Sequence, residues 1–312
     1  MILITGASGF IGRYLADFLL KKEKDKIIGC ARKKANLPIP FESVDLADKE
    51  AVNNLLKKYL PQEIYHLAGY TNNARSFSEP AKAIFSNLTI TANILQAVKE
   101  LRLKSRILIV STVQVYRNAS FINEDSPLQP ASPYALSKQL SEEIAFYYHR
   151  NFSLDVVVVR ASNQIGPEQS RDYVASKFAY QIAGIIEKRF PAELKVGNLK
   201  AMRDFLDVRD AVYGYWLVMK KGKSGEIYNL ASGKTISIER LLEEFLKVAN
   251  LKKEEINIAI DSSSFRSESE RYFQISIQKI AQLGFQPQIP LKKTLSDLID
   301  FWRGEIRSFV PQ

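Results

Sequence analysis

Ile2-Leu3-Ile4-Thr5-Gly6-Ala7-Ser8-Gly9-Phe10-Ile11-Gly12 opens the chain with an apolar, β-branched run that passes straight into a glycine trio. Such a run suits a strand buried on both faces, and residues 12–22 behind it have helical periodicity. The glycines allow a tight strand-to-helix turn and close backbone approach to a ligand. Unpaired N–H groups at the helix start, with the helix dipole, stabilise an anion such as a pyrophosphate. A glycine trio alone is weak evidence. After a first buried strand and before a helix, it meets the structural condition for a dinucleotide-binding turn. Gly6, Ser8, Gly9, Phe10, Ile11 and Gly12 are therefore read as cofactor contacts.

The rest of the first half repeats the pattern. Short aliphatic runs at 26–30, 63–67, 106–110 and 154–160 alternate with amphipathic stretches at 49–59, 80–101 and 133–151. That order predicts an α/β fold, a Rossmann-type doubly wound parallel sheet, with a smaller C-terminal α/β substrate-binding domain. Ile107 to Val110 and Val156 to Val159 read as strands covered on both faces. Past Arg160 the pattern loosens. Residues 163–171 read as a polar loop and 174–188 as a helix; 208–220 and 226–230 return to helix and strand, and 239–249, 276–283 and 291–303 read as helices, with a strand at 257–260. The expected division is a dinucleotide domain at 1–162, rejoined by residues around 205–231, and a substrate domain at 163–204 and 232–312.

Composition excludes several classes. The 312 residues are 46% hydrophobic and 25% charged, as in a soluble globular protein, and no apolar run is long enough to span a bilayer. The first strand begins directly after Met1, leaving no room for a leader, so a cytoplasmic location is expected. One cysteine, Cys30, and two histidines, His66 and His149, give no basis for an internal disulfide or a metal site. The net charge of +10 invites a nucleic-acid reading, but the lysines are scattered among glutamates. A solvated surface with one anion-binding pocket explains the charge better.

The chemistry sits in Ser132-Pro133-Tyr134-Ala135-Leu136-Ser137-Lys138. Tyr134 and Lys138, four apart, project from one face of a helix that Ser132 can cap and Pro133 can begin. A phenol is a poor acid–base group at neutrality, and an ammonium one turn away stabilises its phenolate. The pair is expected to make the chain an oxidoreductase. At the end of the second strand, where an NAD-selective protein places a carboxylate, the chain has Arg32, Lys33 and Lys34. Arg32 can pair with a 2′-phosphate or stack on adenine, so NADP(H) is preferred and NAD(H) use stays open. Asp45 with Leu46 suits the adenine, and Leu67, Ala68 and Gly69 let backbone pass close to the cofactor. His66 reads as a hydrogen-bonded structural residue.

These residues, in order, resemble the extended short-chain dehydrogenase/reductase family, in its nucleotide-sugar branch. The matches are the glycine turn, His66-Leu67-Ala68-Gly69, Asn87, Ser111-Thr112, Tyr134 with Lys138, Asn163-Gln164-Ile165-Gly166-Pro167 and Arg203-Asp204-Phe205. The resemblance implies cofactor contacts at Asn87, Val110 and Ser111 besides Tyr134 and Lys138, with Thr112, Tyr134 and Lys138 catalytic. It implies substrate contacts at Thr112, Gln114, Asn163, Val174, Lys177, Lys195, Asn198, Arg203, Arg266 and Glu268. Residues 196–210 look like the GDP-mannose 4,6-dehydratases and GDP-4-keto-6-deoxymannose reductases, so the implied substrate is a GDP-sugar.

Family dehydratases place a glutamate two residues after the threonine; Gln114 stands there, and a neutral amide cannot replace a carboxylate acid–base group. Reduction of a 4-keto-6-deoxyhexose, giving GDP-D-rhamnose, is the implied reaction. Three alternatives stay open: a 4-epimerase, a dehydratase with another carboxylate, and a family member that binds dinucleotide or RNA without turnover. Arg203 is read either as a diphosphate contact or as a salt-bridge partner of Asp204 or Asp207, and Arg266 likewise has a structural reading. Helices at 81–100 and 133–151 carry Ile84, Phe85, Ile90, Ile94, Phe146 and Tyr147 on more than one face. The resemblance implies a homodimer through a four-helix bundle, although packing against the sheet would also absorb that surface.

Overall fold

The computed structural model describes residues 1–33, 35–261 and 274–308. β1 (Ile2–Thr5) is buried along its whole length, as its unbroken apolar run requires. The glycine turn leads into α1 (Phe10–Lys22), followed by β2 (Ile27–Ala31), β3 (Phe41–Ser43), α2 (Lys49–Tyr59), β4 (Glu63–His66), α3 (Asn73–Ser76) and α4 (Pro80–Glu100). Next come β5 (Arg106–Thr112), β6 (Phe121–Ile122), α5 (Pro133–Phe152), β7 (Asp155–Ala161) and β8 (Asn163–Ile165). The later chain forms α6 (Val174–Ile186), β9 (Glu193–Val196), β10 (Met202–Asp207), α7 (Val208–Lys221), β11 (Ile227–Leu230), β12 (Thr235–Ser237) and α8 (Ile238–Val248). β13 (Asn257–Ile260), β14 (Gln274–Ile275), α9 (Gln278–Gln282) and α10 (Leu291–Ser308) complete it.

Seven strands make one parallel sheet in the order β11-β7-β5-β4-β1-β2-β3. The chain steps outward from β1 to β2 and β3, then returns to β4 on the other side of β1. This reversal opens a crevice at the carboxyl ends of β1 and β4, where open α/β sheets hold ligands. α1 and α7 cover one face through Leu15, Leu19, Tyr215 and Val218. α2, α4 and α5 cover the other through Val52, Leu56, Ile94, Val98 and Ala145. A separate core joins α6, α8 and α10 through Phe178, Ile182, Leu241, Phe245, Leu295 and Leu298. In α8 the apolar residues Ile238, Leu241, Leu242 and Phe245 follow helical spacing and are all buried.

Several sequence expectations need correction. Residues 163–165 form a strand paired in parallel with Phe205–Asp207. The polar composition misled because strand pairing uses backbone groups, and Asn163 Nδ2 also donates to the Asp204 carbonyl at 3.0 Å. Of the segment expected to rejoin the large sheet, β11 does so, whereas β10 belongs to a small sheet with β8 and β12. The helix expected over 276–283 is only Gln278–Gln282, stopped before Gly284, whose φ is +101°. Among the exposed-face candidates, Ile94 is buried and Ile90 and Phe146 pack on the core, while Phe85 and Tyr147 stay exposed. No helix among the described residues is long and apolar enough to cross a membrane.

Candidate active site

The carboxyl ends of β1, β2, β4, β5 and β7 and the first turns of α1, α5 and α6 enclose a cleft of about 1090 Å³. Its floor is the glycine turn. Gly6 has φ +69°, and a Cβ there would lie 2.8 Å from the Ala68 nitrogen. At Gly12 a Cβ would lie 2.4 Å from the Gly6 carbonyl oxygen. The turn is thus packed against the loop after β4 as tightly as backbone allows. Gly9, the N-cap of α1, has no side chain to satisfy the first-turn N–H groups, and that turn holds no acidic residue. Those donors are aimed as a diphosphate needs. Arg32 and Lys33 line the cleft beyond β2, with Asp45 and Leu46 beside them. A dinucleotide fits this cradle on its shape, its orphan donors and its cations.

Thr5 and His66 lock β1 to β4. Ala68 N–H donates to Thr5 Oγ1, which lies 2.8 Å from His66 Nδ1, and His66 Nε2 lies 3.1 Å from Thr91 Oγ1. Thr91 spends its proton on the Asn87 carbonyl, so His66 must carry its hydrogen on Nε2 and accept at Nδ1. Burial and the nearby Lys138 ammonium push His66 down to about 3. It is a neutral structural residue, as expected.

Ser132 caps α5 by accepting from Ala135 N–H at 3.1 Å, and Pro133 takes the first helical position. This fixes Tyr134 and Lys138 on the wall of the cleft with Thr112 and Gln114. Thr112 ends β5; its Oγ1 accepts from Gln114 N–H at 3.3 Å, and its side chain stands beside Tyr134. Lys138 Nζ donates to the Val110 carbonyl at 2.9 Å. Burial pulls this lysine down to about 8, opposed by the Glu142 carboxylate.

The expectation that Lys138 lowers the Tyr134 phenol needs correction. Burial raises the phenol well above its ordinary value, Tyr173 adds to the rise, and Thr112 is the neighbour working against it. The lysine shares the helical face but turns to a strand carbonyl. The phenol is therefore protonated throughout the neutral range, the state a proton donor requires.

Asn87 was expected to touch cofactor, but its side chain is buried and faces protein. Its Oδ1 accepts from Tyr70 N–H at 2.6 Å, and Nδ2 donates to the Tyr70 carbonyl at 3.1 Å and to Ser137 Oγ at 2.7 Å. It clamps the loop after β4 onto α5 beside Gly69, where a Cβ would lie 2.6 Å from Asn87 Oδ1. Leu67, Ala68, Gly69, Val110 and Ser111 do line the cleft.

On the other wall stand Asn163, Val174, Lys177, Lys195, Asn198 and Arg203. Arg203 donates to the Met202 carbonyl at 2.7 Å. The carboxylates proposed as its salt-bridge partners have other work. Asp207 pairs with Arg209 at 2.7 Å and accepts from Thr294, and Asp204 accepts from Ser162, Ser232 and Lys234. Lys34, Arg266 and Glu268 lie outside the described residues. Tyr173, which sequence reasoning missed, is the N-cap of α6, lines the cleft and reaches across it to Thr71 Oγ1 at 3.3 Å. Its only signal was an aromatic ring directly before the helix at Val174.

Residues 3–298 match the profile of the family described as GDP-mannose 4,6 dehydratase. The chain belongs to this family. The GDP-6-deoxy-D-mannose reductase of Pseudomonas aeruginosa is 30% identical, over 98% of each chain. The dTDP-glucose 4,6-dehydratase of Haemophilus influenzae is 28% identical over 96% of this chain and 97% of its own. The structure of RMD from Pseudomonas aeruginosa complexed with NADPH superposes with a TM-score of 0.85 at 29% identity, covering 97% of this chain and 99% of that one. The family's parallel sheet and the cleft with Thr112, Tyr134 and Lys138 make this an oxidoreductase-type enzyme of nucleotide sugars.

Proposed function

We propose that the chain reduces a nucleotide-linked 4-keto-6-deoxyhexose with NADPH, taking GDP-4-keto-6-deoxymannose to GDP-D-rhamnose. The observation that carries this reading is Thr112, Tyr134 and Lys138 on one wall of the cleft, with the amide Gln114 where the family's dehydratases carry glutamate. A bound reduced nicotinamide supplies hydride to C4 of the sugar. Tyr134 gives its proton to the ketone oxygen, Thr112 orients that oxygen, and Lys138, held on the Val110 carbonyl, supports the nicotinamide ribose. Gly69, Val110 and Ser111 line the cleft where the nicotinamide end would lie. Lys177, Lys195 and Arg203 give the opposite wall the charge to hold the sugar diphosphate, with Asn163, Val174 and Asn198 beside them. The RMD complex with NADPH and the 30% identical reductase support the cofactor and the substrate. Arg32 supports NADPH over NADH.

The exposed Phe85 and Tyr147 on α4 and α5 support a homodimer built by these helices. A cytoplasmic location goes with soluble substrates of this kind. Anaerobic incubation with the GDP-4-keto sugar and NADPH tests the reading. Stoichiometric loss of absorbance near ~340 nm, with one reduced sugar per NADPH, is expected. Interconversion of C4 epimers without net NADPH loss would point to an epimerase instead.

A further inference from the structure

Behind the reacting groups lies a charged pair that the reduction itself does not use. Glu142 stands one turn beyond Lys138 on α5, and Arg160 lies on β7; their side chains are 2% and 3% exposed. Arg160 Nη2 donates to Glu142 Oε2 at 2.6 Å, and Nε reaches both carboxylate oxygens at 3.1 Å. The Ser111 hydroxyl donates to Glu142 Oε1. On the far side the guanidinium lies 4.7 Å over the Tyr116 ring, and Nη1 donates to the Glu124 carbonyl at 3.4 Å.

A buried ion pair is weak support for stability, since apolar residues of like volume often serve as well. The reason for charge here is better sought in what the carboxylate touches. Ser111 sits between Val110, whose carbonyl accepts from Lys138, and Thr112, which lines the cleft with Tyr134. The charged and titratable groups about Lys138 are Tyr134 and Glu142 on α5, neutral His66 from β4 and, behind Glu142, Arg160 from β7. Of these only Glu142 favours the ammonium.

We propose that Glu142 is a positioning residue for the reaction: through the Ser111 hydroxyl its carboxylate pins the strand end that carries Val110, whose carbonyl holds Lys138, and Thr112. Arg160 holds that carboxylate in place. This rests on reading Tyr134 and Lys138 as the reacting pair, and its test therefore uses no sugar.

Protein labelled with ¹³C at lysine Cε is titrated by NMR. One resonance should titrate near pH 8 and be missing from Lys138→Arg. In Glu142→Gln its midpoint is expected to fall by about one pH unit or more, the effect of removing one nearby opposite charge. Should that variant fail to fold, the double variant Glu142→Met/Arg160→Met replaces the pair with apolar groups that such a core tolerates; it removes the repulsion of Arg160 together with the attraction of Glu142, so a smaller fall is expected. A Lys138 midpoint unchanged in a folded variant overturns the proposal. An inactive sugar assay would count against the substrate reading and leave this result standing.

Discussion

Gly12→Ala tests the nucleotide cradle with one methyl group. A Cβ at Gly12 would lie 2.4 Å from the Gly6 carbonyl oxygen, 2.7 Å from Ala7 Cα and 2.9 Å from the Ala7 carbonyl carbon. All three are backbone atoms, so relief requires the turn itself to move by about 1 Å; overpacking of this kind costs about 1–3 kcal/mol. The same movement turns the first N–H groups of α1 away from the pyrophosphate. Losing one hydrogen bond to a charged group is worth about 1.5–3 kcal/mol, so NADPH should bind roughly 10- to 100-fold more weakly. Gly304→Ala is the matched control: nothing lies within 4 Å of its Cβ, and the residue is exposed in α10. There alanine should stabilise by roughly 0.5–1 kcal/mol. Fluorescence titration with NADPH and thermal melts of both variants provide the assay. If Gly12→Ala binds NADPH and melts like the unaltered protein, the turn does not need glycine at this position.

Arg32→Ala should weaken NADPH binding by about 10-fold or more and leave NADH binding nearly unchanged, read by paired titrations, because only NADPH carries the 2′-phosphate. Equal loss for both dinucleotides would assign Arg32 to adenine stacking. His66 is held down to about 3 in the fold from its ordinary 6.5. As pH falls below 6.5 the unfolded chain takes up a proton that the folded chain refuses, so stability present above pH 6.5 is lost towards pH 3. About 2 kcal/mol of that loss should accrue by roughly pH 5. The slope of stability against pH should flatten in His66→Gln; an unchanged slope would contradict the neutral tautomer. Tyr173→Phe removes the hydroxyl bonded to Thr71 across the cleft. It should raise KM for the sugar by about 5- to 10-fold with the fold intact, whereas unchanged kinetics would make the contact incidental.

The floor of the cleft was legible in the sequence because its constraint is local. Gly6 needs a positive φ and Gly12 a close backbone neighbour, and both needs select glycine at fixed spacing from a buried strand. Tyr134 and Lys138 were legible for the same reason, one turn apart behind a Ser–Pro helix start. What was hidden depends on residues distant in the chain. β8 pairs through backbone with β10, forty-two residues on from Asn163 to Phe205, and polar composition masks it. Asn87 carried a resemblance to a cofactor contact, yet only the packing of α4 against α5 reveals that it holds Tyr70 and Ser137. The Glu142–Arg160 pair likewise joins a helix to a strand and leaves no periodic trace.

Stopped-flow measurement of hydride transfer in Tyr134→Phe, with NADPH binding followed in the same samples, asks whether this phenol is the proton donor. NADPH should bind as in the unaltered protein while its oxidation by the GDP-4-keto sugar slows by about 100- to 10,000-fold, the range for loss of a general acid. Hydride transfer at the unaltered rate would show that the ketone oxygen takes its proton from elsewhere.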